Sequence, residues 1–129
     1  MTTATLLLAH GSTDANWLAP FDALLENIRA GLTSECVELA YMELADPSLE
    51  DQVRKLAATG YSDIDILPLF FAAGRHLRKD VPAQLQALQE ELSAQGHQVT
   101  LTLHSPVALE PEVAAAISRI VIRQISMAE

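Results

Sequence analysis

The sequence contains a single cysteine, Cys36, so no disulfide can close within the chain. Nothing in that usage points to an oxidising compartment. Aromatic residues make up only 5% of the chain, so its core must be built from Leu, Ile, Val and Ala, in a composition that is 50% hydrophobic. Positive charge is also scarce: 8 basic residues stand against 17 acidic ones, a formal net charge of −9. Such a surface repels phosphate backbones and anionic lipid, which excludes general nucleic-acid binding and argues against membrane association. No apolar run approaches the ~18 residues of a membrane-spanning helix. The first residues, Met1–Ala9, lack the basic start and long apolar stretch of a signal peptide. Linkers, repeats and low-complexity segments are missing too. One soluble, cytoplasmic domain over residues 1–129 is therefore expected.

What is present is an alternation of short apolar runs and longer amphipathic ones. Ala4–Ala9 (ATLLLA) is continuously apolar, as a strand buried on both faces should be. A helix is predicted over Asp14–Leu32, with Trp17, Phe21, Leu24, Leu25, Ile28 and Leu32 at helical spacing. Cys36–Met42 predicts a second strand. Pro47 and Ser48 open a second helix, with Ser48 as cap, Asp51 as its capping-box partner, Leu49, Val53 and Leu56 as apolar face and Gly60 as stop. Ile64–Phe70 predicts the third strand, with Pro68 near its end. Asp80 and Pro82 mark the next helix, striped by Leu85, Leu88 and Leu92 and ended by Gly96. Gln98–Leu103 is the fourth strand. The last helix, Glu110–Ile125, is expected to turn Val113, Ile117, Ile120 and Val121 inward, although Ala114, Ala115, Ala116 and Ile122 make its other face apolar as well. This order predicts an α/β fold: a four-stranded parallel sheet, order 2-1-3-4, with right-handed crossovers and helices on both faces.

Ligands of open parallel sheets bind beyond the carboxyl ends of the strands, where strand order reverses. Strand 1 leads to His10-Gly11-Ser12, strand 2 to Glu43, strand 3 to Gly74-Arg75-His76 and strand 4 to His104-Ser105. His10 and His76 are thus expected to face one cleft, with the Glu43 carboxylate close by. Neutral imidazole binds divalent Co, Ni, Fe and Zn and is a competent base near neutral pH. The plain alternative is a histidine hydrogen-bonded to a loop, and it is the preferred reading for His104. His97 reads as a surface residue on the opposite edge, and Cys36 as a small buried hydrophobe. Arg75, Arg78 and Lys79 are three of the eight basic residues and lie within five positions, which predicts an anion at the cleft. Gly11-Ser12 at a helix start offers backbone N–H groups to an anion. A hydrolase built on Ser12 is disfavoured, because Gly-Ser-Thr-Asp-Ala is not a nucleophile elbow.

His10-Gly11-Ser12, Glu43-Leu44-Ala45-Asp46-Pro47-Ser48 and the long run from Pro68 through His76 to Pro82 together resemble the CbiX-type class II chelatases, over nearly the whole chain and in order. The resemblance implies a chelatase-like fold, here one half of the two-domain form. It implies insertion of Co²⁺ or Fe²⁺, with Ni²⁺ as a further candidate, into sirohydrochlorin in cobalamin or siroheme biosynthesis, without ATP and with no cofactor beyond the substrate metal. It assigns His10 and His76 as metal ligands and catalytic groups, with Glu43 assisting. The anionic tetrapyrrole would be held by Gly11, Ser12, Gly74, Arg75, Arg78 and Lys79. Short members of the family pair as a homodimer around a shared cleft. Two departures stand out: Arg75 replaces a glycine common before the loop histidine, and His104 replaces a residue that is usually apolar. A metal or tetrapyrrole carrier without turnover is the alternative function.

Overall fold

The computed structural model describes residues 3–33, 35–70, 74 and 76–128, and only the backbone of residues 76, 77 and 128. Strands β1 (Thr3–Ala9), β2 (Cys36–Tyr41), β3 (Asp63–Pro68) and β4 (Thr100–Leu103) form one sheet of order β2-β1-β3-β4. All three pairings are parallel, as the sequence predicts. The connecting helices are α1 (Ala15–Ala30), α2 (Leu49–Thr59) and α3 (Val81–Ala94), and α4 (Pro111–Ala128) follows β4.

The apolar run of β1 is explained by its central place. Leu6 and Leu8 join a core with Ile64, Ile66 and the buried faces of α2 and α3. Their neighbours Leu7 and Ala9 point the other way, into a second core with Val37, Leu39, Tyr41 and α1. Each fully buried Leu or Ile contributes about 1.5–3 kcal/mol. Both free sheet edges have backbone groups occupied by side chains. Gln52 Nε2 donates to Leu39 O at 3.0 Å, Arg29 donates to Val37 O at 2.7 Å, and the Leu101 N–H donates to Gln89 Oε1 at 3.1 Å. Such contacts deny the edges to other strands.

Helix boundaries follow local chemistry. Ser48 accepts from the Asp51 N–H at 3.1 Å and caps α2, and Gly60 ends it at φ 116°. Asp51 is only half of a capping box, since its carboxylate lies 3.4 Å from Arg54. A π-helical turn, His76–Asp80, leads into α3, so Asp80 begins no side-chain cap there. β4 is shorter than predicted.

Two predicted stripes need correction. On α1 the packed residues are Leu18, Phe21, Leu25 and Ile28, whereas Trp17, Leu24 and Leu32 are exposed. The helical period admits either set, and only the sheet's position selects one. On α4 most of the expected inward face does not pack. Ile117, Ile120 and Val121 are exposed and Val113 is half-buried. The helix rests chiefly on the 3-10 turn Val107–Leu109 that precedes it. The two sheet faces are covered by α1 on one side and by α2 and α3 on the other. Among the described residues no helix is long and apolar enough to cross a membrane.

Arg54 and Glu91 tie α2 to α3 through hydrogen bonds of 2.8 and 3.2 Å. The Arg54 guanidinium holds the Glu91 carboxyl below its ordinary range. A carboxyl lowered on folding adds stability above its unfolded value, and that stability is lost as pH falls through the lowered one. Glu91→Gln is therefore expected to melt slightly below the wild type near neutral pH. The gap should begin to narrow as the pH drops below the ordinary Glu value of about 4.3 and close only below the lowered value, as followed by thermal melts across an acid series.

Candidate active site

The site grows out of β1, whose pairing continues past its last residue on both sides. The Met42 N–H donates to Ala9 O at 2.9 Å, and the Glu43 N–H donates to His10 O at 3.1 Å. On the other side the Leu69 N–H donates to Leu8 O at 2.8 Å. His10 therefore stands at the middle of the sheet's carboxyl edge, with its backbone tied to the loop that holds Glu43. Gly11 follows at φ 99°, and a Cβ there would lie 1.8 Å from the Glu43 carbonyl oxygen. Only glycine lets the two loops approach this closely.

The His10 side chain is exposed and stacks on Phe70, with ring centroids 4.0 Å apart and planes at 21°. Phe70 itself is only 6% exposed and belongs to the α2/α3 core, so the imidazole leans on a fixed wall. Among the described residues neither ring nitrogen of His10 is hydrogen-bonded. In the neutral ring the nitrogen without a hydrogen can accept a proton or a metal ion.

Beside His10, on the α1 side, lies a cavity of about 290 Å³ lined by His10, Gly11, Ser12, Trp17, Leu18, Phe21 and Leu69. A larger cavity of about 550 Å³ lies elsewhere, between α3 and β4. It carries no titratable pair or histidine, so the smaller cavity is the better chemical candidate.

The start of α1 departs from expectation. The Ser12 hydroxyl accepts from the Asp14 N–H at 3.0 Å, and the Asp14 carboxylate caps the helix by accepting from the Asn16 N–H at 2.9 Å. A carboxylate thus already occupies the anion position of this helix terminus. Ser12 lines the cavity while holding the turn.

Glu43 is exposed at the carboxyl edge beside His10. Its neighbour Leu44 adopts φ 64°, and Asp46–Pro47 is a cis peptide. Left-handed backbone at an exposed leucine is strained, and such strain collects at functional loops. From β3 the chain runs through Phe70 toward the second predicted histidine. Gly74 is exposed and its carbonyl accepts from the Arg78 N–H at 3.0 Å; Arg78 and Lys79 are exposed within the π-helical turn. The backbone of His76 opens that turn, while its ring, and all of Arg75, lie outside the described residues.

His104 is engaged elsewhere: its backbone N–H donates to Ile66 O at 2.9 Å and its Nε2 lies 3.0 Å from the Asp65 carboxylate. His97 is half-buried just before β4, away from the carboxyl edge. Cys36 is a half-buried free thiol at the start of β2. Among the described residues no group of three His, Cys, Asp or Glu side chains forms a metal cage. Sequence reasoning missed Phe70 as the wall behind His10, and it missed the cavity formed by Trp17, Leu18, Phe21 and Leu69. The sequence carried no signal for either, because which stripe of α1 packs on the sheet is decided by tertiary structure.

The sequence model of the CbiX family matches residues 4–124. The chain belongs to the CbiX family. Its fold is similar to a putative cobalamin (vitamin B12) biosynthesis CbiX protein from Marinobacter aquaeolei VT8, with a TM-score of 0.83, 38% identity, and coverage of 99% of this chain and 98% of that one. It is 28% identical over 109 residues to a sirohydrochlorin cobaltochelatase from Sulfurisphaera tokodaii, covering 84% of this chain and 82% of the relative. The sirohydrochlorin chelatase SirB from Bacillus subtilis subspecies spizizenii, solved in complex with cobalt, shares the fold at a TM-score of 0.79 and 22% identity. That match covers 92% of this chain but 49% of SirB, so one CbiX unit corresponds to about half of SirB.

Gly11→Ala tests the close approach of the two loops. Both the clash with the Glu43 carbonyl and the positive φ oppose a side chain, so a loss of at least about 2 kcal/mol is expected, seen as a lower denaturant midpoint. A variant as stable as the wild type would mean that the loops separate freely.

Proposed function

We propose that the chain is a sirohydrochlorin chelatase, inserting Co²⁺ or Fe²⁺, with Ni²⁺ as a third candidate, into the metal-free macrocycle without ATP. The observation that carries this reading is His10: an exposed imidazole with no hydrogen-bond partner among the described residues, at the centre of the carboxyl edge, in a chain of the CbiX family. Insertion exchanges one divalent ion for two pyrrole N–H protons. A neutral imidazole can take one of those protons, or hand over the ion through a single nitrogen. An ion that must leave is best held by few protein ligands, in contrast to the closed cages of structural sites. His10, just after β1, and His76, in the segment that follows β3, share these roles, and β1 and β3 neighbour each other in the sheet. Glu43 supplies an acceptor for a departing proton.

The charge pattern supports the substrate class. Arg75, Arg78 and Lys79 bring positive charge to one loop of a chain with net charge −9, which suits a polycarboxylate tetrapyrrole. Gly11 and Ser12 line the cavity beside His10, and Gly74 has open space around its Cα, so all three can border the ligand. The ATP-free reading is supported by Asp14, because the helix terminus that takes phosphate in many α/β sheets is capped here by a carboxylate.

The working unit is a symmetric pair. The chain matches one half of SirB, and α4 leaves Ile120 47% and Ile122 62% exposed along a helix that also bears Ile117, Val121 and Ile125. Apolar faces of this kind mark interfaces. The open cavity between α3 and β4, walled by Leu85, Leu101 and Leu103 and rimmed by Glu90, offers a complementary surface for the apolar and Arg-bearing α4 of a second copy. Ile120→Glu is expected to shift the protein from dimer to monomer in sedimentation velocity. A monomeric wild type would remove the pairing.

Activity is tested by anaerobic mixing of sirohydrochlorin with each metal at catalytic protein concentration. The wild type should convert many equivalents, and His10→Ala and His76→Ala should each lose on the order of 10²-fold or more. Conversion that stops at one equivalent per chain would indicate a carrier, and full rates in both variants would overturn the assignment of the histidines.

A further inference from the structure

The backbones of His10 and Phe70 are anchored independently of each other. The His10 carbonyl accepts from the Glu43 N–H at 3.1 Å, on the β2 side. Phe70 follows Leu69, whose N–H donates to Leu8 O at 2.8 Å, and its own carbonyl accepts from the Ala108 N–H at 3.2 Å, in the 3-10 turn after β4. The Phe70 side chain is 6% exposed and belongs to the core that α2 and α3 close. Its ring is therefore held in place without any help from His10. The His10 ring is the opposite case. It is exposed, and among the described residues no hydrogen bond holds it. What meets it is the Phe70 ring, stacked with centroids 4.0 Å apart and planes at 21°.

We propose that Phe70 is a positioning residue: it fixes the plane of the His10 imidazole, and thereby the direction from which that ring meets the metal ion and the pyrrole proton. This rests on the chelatase reading above. The lone pair of a neutral imidazole lies in the ring plane, so an ion or a proton is met edge-on, along a line within that plane. The last torsion of a histidine has no sharp preference of its own, so without a neighbour the line sweeps through space. Phe70 covers one face and leaves the edges and the other face open. Turning out of the stack loses both contact area and the aromatic pairing. The covered face is also closed to the macrocycle, which must approach from the open side. A carboxylate bonded to the second nitrogen would fix the ring too, but it would raise the ring's basicity and its grip on the metal. A hydrocarbon face restrains the plane without that effect, which suits a ligand that must let its ion go. Phe70 touches no reacting atom and acts through His10.

The test compares the full-length wild type with Phe70→Leu, Phe70→Tyr and a core control, Leu92→Val. Leu92 is buried in the same core near the C-terminal end of α3, where the chain turns back into β4. Phe70→Leu keeps an apolar side chain but removes the ring face. It should lower kcat for Co²⁺ insertion into sirohydrochlorin about threefold to tenfold, with the KM for sirohydrochlorin within about twofold. The loss is smaller than in His10→Ala because the imidazole remains. Phe70→Tyr keeps the face and should recover most of the rate. Leu92→Val should melt lower than the wild type yet keep its kcat. In NMR spectra the His10 ring protons of the wild type should carry the upfield shift of a neighbouring aromatic face, with the side-chain couplings of a single conformer. Phe70→Leu should lose the shift and average the couplings. An unchanged kcat in Phe70→Leu would overturn the positioning role, and so would an equal loss in Leu92→Val. If Phe70→Leu does not fold, the wild-type spectrum decides: averaged His10 couplings refute a fixed plane, and those of a single conformer with the upfield shift support it. A wild type that never turns over counts against the chelatase reading alone. The spectra of wild type and Phe70→Leu then still decide, since identical His10 couplings refute the role and averaging in the variant supports it.

Discussion

The position of His10 depends on backbone pairing that runs on beyond β1. A strand at the edge of a sheet is tied along one side, but β1 is tied along both, to β2 up to Ala9↔Tyr41 and to β3 up to Leu8↔Pro68. The bonds from Met42, Glu43 and Leu69 extend those ladders to the very residue that carries the imidazole. Most strand-end residues fray into a loop. Here the next residue, Gly11, is pressed against the Glu43 carbonyl, so the chain leaves the sheet in one direction only. The role proposed for His10 would benefit from this, because rigid backbone keeps reacting atoms from drifting.

The same centrality makes the rest of the fold lopsided. The run Leu6-Leu7-Leu8 feeds two cores at once, and α1, α2 and α3 suffice to close them around β1. β4 has fewer partners: Leu101 and Leu103 are only half-buried, and the cavity beside them is open. α4 meanwhile presents isoleucines to solvent. An unfilled apolar groove and an uncovered apolar helix in one chain are two halves of a single packing deficit. In the pairing proposed above, a two-fold axis would give each groove the other copy's helix and so answer both at once.

Strands were legible because burial on both faces leaves a continuous apolar run, a signal that survives without any knowledge of neighbours. The expected strand order 2-1-3-4 is the observed one, and among the described residues it leaves His10 and Glu43 at the carboxyl edge. What could not be read was which of several equivalent stripes a helix would bury. Trp17 and Leu18 are adjacent, and both fit a helical period with Phe21, Leu25 and Ile28. The sheet buries Leu18 and leaves the indole outside. For α4 the period was real but its partner was absent from the chain's own sheet, and periodicity carries no information about which surface answers it. Ser12 and Asp14 show the same limit at smaller scale. A Gly-Ser step before a helix suggested an open anion site, but the Asp14 carboxylate fills it. The Phe70 wall was hidden for a different reason, since the stacking pair joins the ends of two strands sixty residues apart in sequence.

His10 sits where the two cores meet. Phe70, buried with α2 and α3, supports one face of its ring, and Leu69, packed with α1, lines the cavity beside it. These adjacent residues of one strand end point to opposite sides of the sheet, as pleating requires. The imidazole is therefore held from one side and supplied with a ligand pocket from the other. A change that shifts α3 would act on His10 through the stack, altering how its nitrogens are aimed. A change that shifts α1 would act on the pocket, altering what is brought to them. The support of the imidazole and the lining of the cavity beside it are thus carried by separate layers of the fold, so one can change without the other.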